Sequence, residues 1–281
     1  MDRRTFLAGG AAGLAFAGAG VSAGSSMSSG SVVIDAHCHL GYMGAFGMRD
    51  ISFEETLDAA GEAGIDKLCV CAVDSLFFDM ESGNESVYRI VKKYPTRVIG
   101  FASMPSPHFG RKGLEHLQRA VEVHGVKGIG ELETDPSYQI DIPQWIAVLE
   151  KAAELKVPLL VHAPPGPCVR AAKRVPEATI LLAHIGTGNG LTVTEWIDSI
   201  EMVKKQPNIY IETSTSITSY GQIEMAVREL GPERVVFGSD SPMLDPAVQM
   251  AKITGGDIPA EAQAKILGQN MARILKISAT T

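Results

Sequence analysis

The chain has 281 residues, 45% of them hydrophobic, 20% charged and 6% aromatic, an ordinary globular composition with ample core. Its formal net charge of −7 argues against nucleic acid as a partner, because affinity for a phosphate backbone comes from lysine and arginine. The length permits two domains, but α/β barrels of about 250 residues are routinely single units.

In chain order, residues 1–23 read as a twin-arginine export signal. Arg3 and Arg4 precede a weakly apolar run from Ala8 to Val21, and Ser22-Ala23-Gly24 offers a small-residue cleavage site. The run is too short and glycine-rich for a stable membrane span, so a periplasmic or secreted location is expected. Residues 24–31 form a flexible joint, and residues 32–281 are expected to be a single barrel domain.

Strands are expected at 32–39, 66–73, 97–103, 126–132, 158–163, 179–185, 208–213 and 234–239. Helices are expected near 52–63, 84–94, 111–124, 142–156, 167–174, 192–205, 221–230 and 260–276. Ser52 ahead of Glu54 and Glu55 is a helix cap, Gly64 and Gly125 are stops, and Pro207 and Pro232 end other helices. Eight alternations of strand and helix predict an α/β fold, a (β/α)8 TIM barrel. An open doubly wound sheet would want a glycine-rich phosphate loop after its first strand, and Gly41-Tyr42-Met43-Gly44 is not one.

The first strand runs into Asp35-Ala36-His37-Cys38-His39. Alternate side chains share a face of a strand, so His37 and His39 project together, as a divalent metal requires. Other strands close on ionisable groups: Glu131, His162, His184 and Asp240. In barrels of this kind the working groups stand at the carboxyl ends of strands. Burying four histidines and two carboxylates there without metal or mutual pairing would cost roughly several kcal/mol each.

These residues resemble those of the metal-dependent hydrolases of the amidohydrolase superfamily. The likeness spans Asp35-Ala36-His37-Cys38-His39 to Gly238-Ser239-Asp240-Ser241-Pro242, and the closing motif is most similar to the branch called amidohydrolase family 2. That branch contains hydrolases and lactonases as well as decarboxylases of unsaturated or aromatic acids. The resemblance implies that His37, His39 and Asp240 hold a first metal, with His162 completing that site or belonging to a second. His184 would be a second-metal ligand or a catalytic imidazole.

The fourth strand leaves alternatives open, since Lys127, Ile129 and Glu131 share a face by alternation. Glu131 is favoured as a ligand because it lies nearer the strand end, and Gly130-Glu131 resembles the pair in metal-dependent deoxyribonuclease relatives. Lys127 is then expected deeper in the barrel and Glu133 toward the loop. The decarboxylase-like branch often has neither a lysine nor a glutamate ligand on this strand.

Mixed imidazole and carboxylate ligands suit one or two divalent ions, zinc first, with manganese, iron or cobalt tolerated. A bound ion lowers the pKa of its water from 15.7 to roughly 7. Asp240 is the expected general base, and His184 could polarise a substrate oxygen. The main reading is a metal-dependent hydrolase of an amide, ester or lactone in a small-molecule substrate. The alternative is a metal-dependent decarboxylase of an unsaturated or aromatic carboxylic acid, and a third reading is a non-catalytic metal-binding exported protein. His108 and Arg49 are candidate substrate contacts, Arg170 a weaker one, and Met43, Phe46 and Met48 a candidate apolar lid. His116 and His124 are expected on the surface, and Cys38, Cys69, Cys71 and Cys168 as buried small hydrophobes.

Overall fold

The computed structural model describes residues 31–42, 44, 50–134, 137–187 and 195–279. The expected export signal, most of the joint, Arg49 and the candidate lid residues lie outside these. Eight parallel strands follow one another in order: β1 (Ile34–Leu40), β2 (Lys67–Ala72), β3 (Val98–Ala102), β4 (Gly128–Glu133), β5 (Leu159–His162), β6 (Ile180–Leu182), β7 (Ile209–Glu212) and β8 (Val235–Val236). The ring closes between the last strand and the first. The Ala36 N–H donates to Phe237 O (2.9 Å), the Asp240 N–H to His37 O (2.7 Å) and the His39 N–H to Ser241 O (2.7 Å). The fold is the expected (β/α)8 barrel.

The helices are α1 (Phe53–Glu62), α2 (Val73–Phe77), α3 (Met80–Lys93), α4 (Gly110–Glu122), α5 (Pro143–Leu155), α6 (Pro165–Arg174), α7 (Glu195–Val203), α8 (Gln222–Leu230), α9 (Pro246–Thr254), α10 (Ala260–Ala264) and α11 (Asn270–Leu275). Ser52 starts α1 with a full capping box: its hydroxyl accepts the Glu55 N–H (3.2 Å) and its own N–H donates to Glu55 Oε2 (2.8 Å). Among the described residues, no helix is long and apolar enough to cross a membrane.

Two helices fall outside the sequence expectation. The short α2 continues directly from β2. Helix α9 starts at the Asp245 cap, with Pro246 in its first turn, and buries only Pro246, Gln249 and Ile253, a sparse apolar stripe that periodicity does not register. The expected 260–276 helix is divided by a π turn at Lys265–Gln269.

Alternation sorts the core into two layers. Leu68, Val70, Leu159, Val161, Ile180, Leu182, Ile209 and Ile211 pack outward with apolar helix residues. Cys69, Cys71, Leu160, Leu181 and Val236, in register between them, form the inner cluster with Ile34, Ala36 and Phe101. The four cysteines are free and buried, as expected.

Candidate metal centre

Two strands break period-two alternation, and both breaks are at the site. On β1, Asp35 pairs with Leu68 and Cys38 with Val70; on β4, Ile129 pairs with Leu159 and Leu132 with Val161. Three residues thus span what the neighbour covers in two, the signature of a bulge, which re-aims side chains beside functional sites. Ile34 and Ala36 belong to the inner cluster while Cys38 packs with the outer one, so the face exchange occurs around His37. On β4 the bulge needs a glycine. Gly130 has φ +121°, and a Cβ there would lie 2.2 Å from Leu160 O.

These bends bring the strand ends together. His37 Nε2 and His39 Nε2 are 3.0 Å apart. Asp240 Oδ1 lies 3.0 Å from His39 Nε2 and 3.6 Å from His37 Nε2. Glu131 spans the centre: its Oε2 is 3.4 Å from His37 Nε2 and 3.6 Å from His39 Nε2, while its Oε1 is 3.5 Å from both His162 Nδ1 and His184 Nε2. All six expected side chains therefore converge at one mouth. His184 (φ +55°) and Asp240 (φ +57°) hold left-handed backbone conformations, a strain of about 1–3 kcal/mol each that clusters at functional sites.

Burial opposes charge throughout this centre, and the neighbours overrule it. The carboxylates Glu131 and Asp240 raise the pKa of His37 well above the imidazole norm despite its burial. In the same way His37 and His184 hold Glu131 well below the carboxylate range, and His37 and His39 lower Asp240. His162 is raised to about 9 against its burial, chiefly by its hydrogen bond to Glu133. Asp35 behaves oppositely: burial pushes it up to about 7, although Ser239 and the His37 N–H both donate to it.

Behind the centre, the other nitrogen of each of three imidazoles is engaged. His37 Nδ1 donates to Glu212 Oε2 (3.1 Å), His184 Nδ1 donates to Ser214 O (2.8 Å), and His39 Nδ1 is 3.4 Å from Cys71 Sγ. Such backing fixes the tautomer and leaves Nε2 free for a metal. Among the described residues six buried side-chain atoms have no hydrogen-bond partner, and two of them, Glu131 Oε1 and His162 Nε2, belong to this group. Two ligands at about 2.0–2.1 Å from one tetrahedral ion stand about 3.3 Å apart, close to the spacing of the His37 and His39 nitrogens. The donor atoms of His37, His39 and Glu131, and those of Glu131, His162 and His184, each lie within 4.8 Å of one another. These residues fit a divalent cation.

Other expectations change. Lys127 is exposed just before β4 rather than deep in the barrel, because the strand begins only at Gly128. Glu133 turns to His162, with Oε1 3.0 Å from Nδ1, instead of facing the loop. His116 is buried, not on the surface, and its Nε2 lies 2.9 Å from Asn84 Nδ2. His108 is exposed on a turn, edge-on to Tyr138 at 4.6 Å, and makes no contact with the six. Arg170 is held by Asp141 at 2.5 Å. Glu212, Ser214 and Cys71 are the members of the site that sequence reasoning does not single out, although Glu212 closes an apolar run as the other strand-end residues do.

The chain matches the family model described as Amidohydrolase over residues 34–277. A search of curated protein sequences gave no match. Among solved structures, 5-carboxyvanillate decarboxylase from Sphingomonas paucimobilis is similar at TM-score 0.70 and 18% identity, over 88% of this chain and 99% of that one. A 2,6-dihydroxybenzoate decarboxylase from Rhizobium is similar at TM-score 0.66 and 18% identity, over 88% and 99%. The 5-carboxyvanillate decarboxylase of Novosphingobium aromaticivorans, complexed with manganese and 4-hydroxy-3-methoxy-5-nitrobenzoic acid, is similar at TM-score 0.71 and 14% identity, over 88% and 96%. At these identities the likeness shows a shared fold.

Proposed function

This chain belongs to the amidohydrolase family, and from that premise we propose that it is a divalent-metal-dependent decarboxylase of small aromatic carboxylic acids. The observation that carries the reading is the mouth itself, where four imidazoles and two carboxylates converge around two buried atoms without partners. Likeness over 88% of the chain to decarboxylases, one of them complexed with manganese, favours this alternative over the hydrolase expected first and favours manganese beside zinc.

His37, His39, Asp240 and His162 would hold the cation, with Glu131 as a further donor. When bound, it supplies a Lewis acid that polarises substrate oxygens. Decarboxylation replaces the carboxylate on a ring carbon with a proton and releases carbon dioxide. Asp240, at the mouth and held ionised by its histidine neighbours, is suited to take up a proton from solvent water and pass it to the ring carbon that loses carbon dioxide. His184, with Nδ1 committed to Ser214 O, presents Nε2 to the site and would hold a substrate oxygen.

One observation favours a second reading, hydrolysis with two ions. Glu131 turns one oxygen to each pair of histidines, the arrangement of a bridging carboxylate. The test is to load the purified chain with Mn²⁺, count ions per chain, and assay hydroxybenzoates for carbon dioxide release beside aryl esters and lactones for cleavage. Release of carbon dioxide that disappears in His37→Ala supports the decarboxylase. Two ions per chain with ester or lactone cleavage alone would replace it with the hydrolase. From Arg3-Arg4 and the run after them we infer a periplasmic or secreted location, tested by fractionating cells that express the chain with Arg3 and Arg4 replaced by lysine.

A further inference from the structure

Two side chains of α9 reach across to the end of β7. Lys252 Nζ donates to Thr213 O (2.9 Å), to Thr215 O (3.3 Å) and to Gln249 Oε1 (2.9 Å). Gln249 Nε2 donates to Thr215 O (3.2 Å), and its Oε1 accepts the Thr215 N–H (3.4 Å). The residue held between these grips is Ser214. Its N–H donates to Glu212 Oε1 (2.6 Å) and its hydroxyl to Glu212 Oε2 (2.8 Å). Its carbonyl accepts His184 Nδ1–H (2.8 Å), and its Oγ lies 3.2 Å from both His37 Nδ1 and His184 Nδ1.

An ammonium drawn largely out of water, as the half-buried Lys252 is, is ordinarily paired with a carboxylate, because desolvating the charge is costly. Lys252 instead spends its three N–H groups on neutral oxygens, and burial pushes its pKa down to about 8. Helix packing does not require this arrangement, since an apolar side chain would bury more cheaply. Two of the three bonds fix the backbone on either side of Ser214, and the third holds Gln249, which itself grips Thr215. Ligand-bearing constellations must be held to about 0.5 Å, and outer partners supply that precision.

We propose that Lys252 and Gln249 are positioning residues, which aim His37 and His184 by locking the Thr213–Thr215 backbone, so that α9 sets the affinity of the centre for its cation. The proposal rests on the reading that these histidines serve a metal centre.

The test uses the full chain, Mn²⁺ alone as probe, and the variants Lys252→Met and Gln249→Met. Calorimetric titration gives the Mn²⁺ affinity, and nitrogen-15 spectra of the metal-free imidazoles report the Nδ1 hydrogen bonds. Lys252→Met is expected to lower Mn²⁺ affinity about 10–100-fold and to shift the His37 and His184 Nδ1 signals while the His124 signals stay in place. Gln249→Met, which removes one grip, is expected to show a smaller loss in the same direction, and Lys252→Arg a partial return. Wild-type affinity and unchanged imidazole signals in Lys252→Met would overturn the proposal. Should Lys252→Met not fold, the same result in Gln249→Met would overturn it. If the unaltered chain binds no Mn²⁺, the metal-centre reading falls, and the imidazole spectra of the metal-free variants decide the positioning role alone.

Discussion

His37 Nδ1 lies 3.1 Å from Glu212 Oε2, inside the barrel and out of contact with solvent. The same oxygen accepts the His184 backbone N–H (3.1 Å) and the Ser214 hydroxyl (2.8 Å), so one carboxylate oxygen anchors the His37 imidazole and the backbone that carries His184. Glu212→Gln replaces an all-acceptor group with one that must present an N–H to donors. Metal affinity should fall about 10–100-fold, measured by equilibrium dialysis with Mn²⁺.

Gly238 is the space that Glu212 needs. A Cβ at this position would stand 2.0 Å from Glu212 Oε1 and 2.9 Å from His37 Cβ. Gly238→Ala should therefore push the carboxylate off the imidazole, destabilise the fold by about 1–3 kcal/mol in urea unfolding, and weaken Mn²⁺ binding as Glu212→Gln does.

Cation binding should stabilise the native state alone, because the donors meet only when the barrel is formed. At a free Mn²⁺ concentration of 100 times Kd the gain is about 2.7 kcal/mol, visible as a rise in Tm that a chelator reverses. His37→Ala should lose that rise and also lower the metal-free Tm, since it leaves Glu131, Glu212 and Asp240 buried without the imidazole that pairs with them.

Lys252 makes stability depend on alkaline pH. Its pKa is about 8 in the folded chain because burial disfavours the charge, against about 10.4 in an unfolded one. Between these values the unfolded state holds more protons, so stability should climb as pH rises from about 8 to 10.4. Glu212, the acid that faces Lys252, works against the shift without cancelling it. Lys252→Met should flatten this part of the pH–stability curve in urea titrations.

The barrel and its six convergent side chains were legible because strand-end residues announce themselves: an apolar run that stops on a histidine or acid has few other uses. Glu212 carries that same signal after Ile209-Tyr210-Ile211, yet its partner His37 is 175 positions away and no local pattern links them. The bulges on β1 and β4 cannot be seen in letters, since period-two reading has no mark for a face exchange. Cys71 hides for another reason, because a thiol on a buried strand is ordinary core until an imidazole is found beside it. His116 was open to discovery: Gly113, His116, Leu117 and Ala120 form the buried stripe of α4 at helical spacing. Helix α9 carries a cap and a first-turn proline that signal a start, but too few apolar positions to be drawn out by periodicity.

The seam of the barrel carries a consequence for biosynthesis. The first donors are near the beginning of the described chain and the last is Asp240, held in place by its N–H bond to His37 O. A polypeptide still emerging from the ribosome owns most of the candidate donors yet has no completed pocket until its eighth strand is made and docked. On the proposed reading, capture of a cation would follow docking of the eighth strand, and a cation tightly held would certify that the first and last strands have met.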